Sequence, residues 1–462
     1  MKIGFLGNTN NYPFILAMLF REMGHSVFFV VTEKSPLHRP ESRYPEFKAG
    51  YPDWITDLSD LAEWEFFTLS PRLAGILGQL SQCDALVLNS FGLSCLPFLN
   101  LPAIALLTGS DLTDYANLLS VETRTANYDP AYKETPAGKS DLAMLKDFIN
   151  RQRLGIQNSA LVRWFPHGLV PEGDRLLDEL GIPASKRHFF AMANPDILEF
   201  SPAPHNQTAR VFCGARLTWK LPVEPGRALL DYKGGDVMIR GLGQFYRETG
   251  TRLEIRLVRK GLHLKETEDL IAEEGIADQV IWLEEMSLVD YWQEIERADI
   301  IFDQLAKSLP FGPVYDAMAV GRPAIANARP EISSPLPLAP ICQAETPQEV
   351  CRQLKRLVFN PQEREQVGRL GRAYVEQYLD PRKSAIQIEQ ILAEASHARR
   401  QEQPYNYMLQ TLVLRWELQQ ELAETRQELD NIFNALSRLK PFLRVFNKLP
   451  ILRKYIPAIL LK

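Results

Sequence analysis

Residues 298–327 read ADIIFDQLAKSLPFGPVYDAMAVGRPAIAN. The stretch opens on apolar residues enough for one buried strand and passes through a loop to Gly312. It continues as a helix pattern, YDAMAVG, and ends in a second short apolar strand. Strand, helix and strand in that order make the crossover unit of a parallel sheet. The junction of loop and helix carries a second message. The first turn of a helix holds N–H groups without intrahelical partners and the positive end of the backbone dipole, which together suit a phosphate. Gly312 keeps a side chain out of that approach. Asp316, one turn in, is placed to accept hydrogen bonds from ribose hydroxyls.

The same alternation repeats on either side. ARVFCG, RLEIRLV and QVIWLE precede this unit in the second half of the chain. KIGFLG, SVFFVV, DALVLN and PAIALL read as buried parallel strands of the first half, and HFFAMA closes it. The proline-rich passage ANPDILEFSPAPHNQ separates the halves as a linker. The sequence therefore predicts an α/β fold of two doubly wound, Rossmann-like domains facing a cleft, over residues 1–200 and 201–375. A helix over 376–400 is expected to pack back on this body.

Composition limits what the cleft can take. At 462 residues the chain is long enough for two domains and an appendage, and its net charge of −5 argues against nucleic acid as a partner. No apolar run reaches the length of a membrane-spanning helix, and the amino terminus enters a strand pattern directly, so a cytoplasmic protein is expected. The five cysteines form no C-x-x-C pair, which fits a reducing compartment, and the seven histidines are scattered. No aspartate has another two positions later, so neither a cofactor nor a metal is expected.

The first strand ends in Gly7-Asn8-Thr9-Asn10-Asn11-Tyr12. One glycine and three asparagines replace the several glycines of a dinucleotide cradle. Amides both donate and accept, which suits a neutral ligand rich in hydroxyls. Gly7, Asn10 and Asn11 are the candidate contacts, with Asn8 as a helix cap. TGSDL, after the strand PAIALL, offers Asp111 either as a hydroxyl acceptor or as part of a helix start.

Taken in order, these motifs resemble those of the retaining GT-B glycosyltransferases of family four. The passage around Gly312 is similar to that family's donor-site signature, in which a glutamate precedes GFG and a second glutamate begins EAMA.G.PVIA. The resemblance places Asp316 at the second acid and Ser308 at the first, beside Phe311 and Gly312 as donor-binding positions. Ser308 has no charge, and Lys307 and Asp303 are the nearby groups that could replace it. An arginine after the first strand of the donor domain and a lysine in a KG pair neutralise the donor diphosphate in that family. Arg216 in FCGARLTWK and Lys233 in DYKGGD occupy those places, with Lys220 as a rival. GNTNNY resembles the family's loop over donor sugar and acceptor, and NPDILEFSP its interdomain hinge. The resemblance implies a metal-independent, retaining transferase that takes a nucleotide sugar and an acceptor hydroxyl. A non-catalytic scaffold of the same fold, or a sugar-nucleotide epimerase or hydrolase, is the alternative.

Beyond residue 400 the pattern changes. Leu418, Leu422, Leu429, Ile432, Leu436 and Leu439 fall at three- and four-residue steps within 401–439, as one amphipathic helix or as a short coiled coil joining two copies. From Asn431 to the end there are seven basic residues and no acid, interleaved with apolar ones. That pattern over 431–462, with a basic apolar tail at 440–462, suits either an anionic membrane surface or a docking segment. A membrane surface would bring a glycan or lipid-linked acceptor, as in polysaccharide synthesis, and a peripheral position on the inner face of the cell membrane.

Overall fold

The computed structural model describes residues 1–204, 206–220, 232–305 and 312–399, together with 425, 427, 428 and 431. Ser308 and Phe311, like Lys307, lie outside the described residues, as do nearly all of the heptad segment and the basic tail. Within them the chain builds two parallel sheets. The first has seven strands in the order β3-β2-β1-β4-β5-β6-β7. These are Lys2–Leu6, Ser26–Val31, Ile55–Asp57, Ala85–Leu88, Ala103–Leu106, Leu161–Arg163 and Arg187–His188, β1 to β7 in chain order. The second has six, β10-β9-β8-β11-β12-β13. They are Arg210–Cys213, Glu254–Val258, Val280–Leu283, Ile300–Phe302, Ala324–Ala326 and Cys342–Gln343, β8 to β13.

The apolar runs make strands because both faces of each sheet are covered. Ile3 pairs with Val27 on one side and Ala85 on the other. Phe5, Phe14 and Phe29 pack on one face of the first sheet, while Leu6, Leu88 and Phe148 pack on the other. A strand buried on both faces loses the polar alternation of a half-exposed one and reads as a continuous apolar run. The short strands β3, β6 and β13 escape a reading based on such runs. HFFAMA contributes only the end of a two-residue strand, Arg187–His188, and then runs on as irregular chain toward the linker.

Two arginines strap the linker to the second domain. Arg322 donates to the Ser201 and Glu296 carbonyls, both at 2.7 Å, and Arg372 to those of Leu198 and Ala319, also at 2.7 Å. The helix Pro381–Arg399 then carries the chain back to the first domain. Its Ala385, Ile388 and Leu392 are buried in the same core as Phe14, and His25 meets Glu389 at 2.8 Å. The two domains are thus tied twice, and a cleft runs between the carboxyl ends of their strands.

Candidate functional site

A cleft of about 360 Å³ opens between the domains. One wall comes from the loops after β1, β5 and β6, with Asn10, Thr108 and Phe165. The other comes from the loops after β8, β9 and β10 and from the helix Gly312–Val320, with Gly214, Lys260 and Asp316. Ligands of doubly wound sheets bind at such strand ends.

On the second-domain wall, the Gly312 helix presents its first turn to the cavity. A Cβ added at Gly312 would meet no atom of the described residues within 4 Å. Asp316 is buried, and its Oδ2 accepts from Trp292 Nε1 at 3.0 Å. Burial pushes its carboxyl above the ordinary range, against the opposing pull of Arg43 and the Trp292 bond. Tyr291 beside it has a buried hydroxyl without a hydrogen-bond partner among the described residues, and burial holds its phenol well above the ordinary value. Gly214 is needed here: a Cβ would lie 2.3 Å from the Tyr291 ring. At the mouth, Lys260 Nζ pairs with Glu285 at 3.0 Å.

On the first-domain wall, the three asparagines divide their work. Asn8 and Asn11 are buried, and Asn8 Nδ2 donates to Asn11 Oδ1 at 2.8 Å. Asn8 Oδ1 accepts from Phe14 N at 3.1 Å, in the first turn of the helix Tyr12–Glu22, while Asn11 Nδ2 donates to Leu37 O and Ser42 Oγ. Their amides are consumed in holding the loop, so Asn11 reaches the cleft without a spare amide. Asn10 differs. It is exposed with φ at +58°, its backbone N–H bonds to His38 Nδ1 at 3.1 Å, and it lines the wall. Two further candidates make contacts within the protein. Gly7, at φ +92°, brings the backbone against protein and not ligand, since a Cβ there would meet the Asn89 carbonyl at 2.4 Å. Asp111 is buried and accepts from the Thr108 and Gly109 amides at 2.9 Å, so its carboxylate shapes the TGSDL turn.

Asn89, at the end of β4, was not singled out by sequence. Its Oδ1 accepts from Thr9 N at 2.7 Å and its Nδ2 donates to Leu106 O at 2.7 Å, tying the loops after β1 and β5 together. The cations of the wall were also missed. They are Arg43, Arg163 and Lys260. Arg163 donates to Leu107 O at 2.8 Å and twice to Phe190 O, and burial lowers its pKa. Arg43 ends the four-residue helix Pro40–Arg43, too short to leave a periodic signal.

Arg216 and Lys233 are not in this wall. Arg216 is exposed on the turn after β8. Lys233 Nζ donates to Gln304 Oε1 at 3.1 Å, and its carbonyl accepts from Leu305 N. Lys220 pairs with Glu266 at 2.9 Å on the surface. Asp303 is buried at the end of β11.

Two α/β domains, each with one parallel sheet, meeting at a cleft on the carboxyl side of their strands define the GT-B fold. No family model and no curated protein matches this chain. Solved structures do. The chain superposes on sucrose-phosphate synthase from Thermosynechococcus elongatus with a TM-score of 0.55 at 14% identity, over 86% of this chain and 100% of that one. HepE from Anabaena, in complex with UDP-glucose, gives 0.53 at 15% identity over 86% and 100%. WaaG, a glycosyltransferase involved in lipopolysaccharide biosynthesis, gives 0.50 at 13% over 84% and 99%. At such identities the likeness establishes the fold.

Proposed function

We propose that the protein transfers a sugar from a nucleoside-diphosphate sugar to an acceptor hydroxyl. The observation that carries this reading is the placement of Asp316 and the first turn of the Gly312 helix in one cleft with Asn10. The helix end offers N–H donors and dipole to a departing diphosphate. Asp316 accepts from ribose, and the Asn10 amide faces hydroxyls of sugar or acceptor. In the reaction the bond between anomeric carbon and phosphate oxygen breaks, the acceptor oxygen bonds to that carbon, and the acceptor proton leaves. Preorganised donors at the leaving group are the largest help a site can give such a step. The HepE structures hold UDP and UDP-glucose, which makes uridine the first base to try.

Metal independence and retention of configuration belong to this proposal through the family resemblance. So do Arg216 and Lys233 as diphosphate contacts, with Ser308 and Phe311 beside the donor. No helix among the described residues is long and apolar enough to cross a membrane. The basic apolar residues 431–462 support a peripheral site on an anionic surface and a lipid-linked glycan as acceptor. The heptad positions 418–439 support pairing of two copies. Release of nucleoside diphosphate from a panel of nucleotide sugars, with and without extracted lipid-linked acceptors, tests the reading. Acceptor-stimulated release with a glycosylated product is expected. Absence of turnover together with tight nucleotide binding would make the protein a scaffold.

A further inference from the structure

One charged side chain of the cleft has two nitrogens with no hydrogen-bond partner among the described residues. Arg43 is 7% exposed, and its Nε and Nη2 are buried without a hydrogen bond. It reaches from the first domain to the second, where its guanidinium lies 5.5 Å from the centre of the Trp292 ring. It acts electrostatically on Asp316, yet no ion pair joins them. Buried donors are almost always satisfied, and a buried cation without a partner is costlier still. The other buried arginine of the wall, Arg163, is satisfied by carbonyls. Arg43 is not.

The cavity it enters also receives the first turn of the Gly312 helix. A guanidinium fork and a helix N-terminus share a preferred ligand, since the fork matches phosphate oxygens two at a time and the helix end favours negative charge. We infer that Arg43 is the first domain's phosphate contact, turning its guanidinium N–H groups to a ligand phosphate held against the Gly312 helix as the cleft closes. The inference deepens the transferase reading and rests on the same cleft. It has a mechanical consequence. Arg43 belongs to one domain and Gly312 to the other, so a phosphate bound between them links the two and favours the closed cleft. The phosphate is supplied either by the donor's diphosphate or by a phosphorylated acceptor.

Two variants and three probes test this. Arg43→Met keeps the bulk and removes the donors, and Arg43→Lys keeps the charge without the fork. Calorimetric titration of the full chain with inorganic pyrophosphate and UDP should show Arg43→Met weaker by about tenfold to a hundredfold, with Arg43→Lys between. Titrating glucose 6-phosphate into UDP-saturated protein separates the sources. A loss confined to UDP and pyrophosphate assigns the contact to the donor, and a loss confined to the sugar phosphate assigns it to an acceptor; either supports the inference. Without ligand, the melting temperature of Arg43→Met should equal or exceed that of the wild type, because an unpaired buried charge has been removed. Equal affinities in wild type and both variants would overturn the inference, as would a wild type that binds none of the three probes. A lowered melting temperature at unchanged affinity would make Arg43 a structural prop of Trp292. Transferase activity separates the two readings: turnover with Arg43-independent phosphate binding sinks this inference alone, and Arg43-dependent binding without turnover sinks the transferase alone.

Discussion

Trp292 Nε1 donates to Asp316 Oδ2 at 3.0 Å, so the indole of one helix fixes the carboxylate of the next. On the transferase reading, Oδ1 is then the oxygen that takes the ribose hydroxyl. The Trp292 bond also offsets part of the cost of burying the acid. Asp316→Asn should weaken nucleoside diphosphate binding by about 1.5–3 kcal/mol, the range for a hydrogen bond to a charged group. The fold should survive, because the amide oxygen still accepts from Trp292. Trp292→Phe should do the reverse in emphasis, lowering stability by about 1–3 kcal/mol by leaving a buried acceptor short of a donor. Urea unfolding and calorimetric titration of both variants check the pair. Unchanged nucleotide affinity in Asp316→Asn would remove the ribose role.

His38 makes the Asn10 loop sensitive to acid. Burial pushes its pKa below the ordinary 6.5, and its Nδ1 accepts the Asn10 N–H at 3.1 Å, which only the neutral ring can do. The unfolded chain takes the proton near pH 6.5 and the folded protein at lower pH. The His38 contribution is therefore fully present above about pH 6.5 and fades as pH falls through the folded value. Glu33 accepts from Asn8 N, and burial raises its pKa, so its contribution runs in the opposite sense. Subtracting His38→Asn from wild type isolates the histidine. Melting temperatures between pH 7.5 and 5 should converge for the two proteins on acidification. Parallel curves would mean that His38 does not titrate in that range.

Gly7 is a matter of stability. Alanine there would meet the Asn89 carbonyl at 2.4 Å and would hold φ at +92°, where a side chain is strained. Gly7→Ala should cost about 1–3 kcal/mol, and the displaced Asn89 should loosen its bond to Thr9 N. Urea midpoints measure the first effect. Hydrogen exchange at the Thr9 and Asn10 amides measures the second, and unchanged protection at both would show that the turn tolerates the methyl.

The sequence revealed most of the fold because the central strands are buried on both faces and so carry an apolar run such as AIAL. The two-residue strands β7 and β13 contain too few positions to show a pattern. Asp316 and Asn10 were legible because a helix start and a strand-end loop have recognisable neighbours in sequence. The division of labour among polar residues was not. Asn8, Asn11 and Asp111 have the same chemistry as ligand contacts, and only the positions of Phe14, Leu37 and Thr108 show that they satisfy backbone groups instead. Arg43 was invisible for a different reason: its role comes from the opposite domain, through Trp292 and Asp316, which lie about 250 residues further along the chain.

The basic tail gives the last expectation. Deleting residues 431–462 should release the protein from anionic vesicles and leave donor turnover intact, because the cleft is built from residues 10 to 316. The deleted stretch holds seven basic side chains and no acid, and each near an anionic surface contributes about 1 kcal/mol. Its apolar residues add burial at the headgroup boundary, so binding should weaken with salt without vanishing. Phe442, Phe446 and Ile451 offer a competing role as packing on the body, and truncation would then lower the melting temperature and raise dye binding to exposed apolar surface. Co-sedimentation of full-length and truncated protein with vesicles of neutral or anionic lipid separates the two. Equal pelleting would show that the tail is no anchor, and a lipid-linked acceptor would then have no support from this chain.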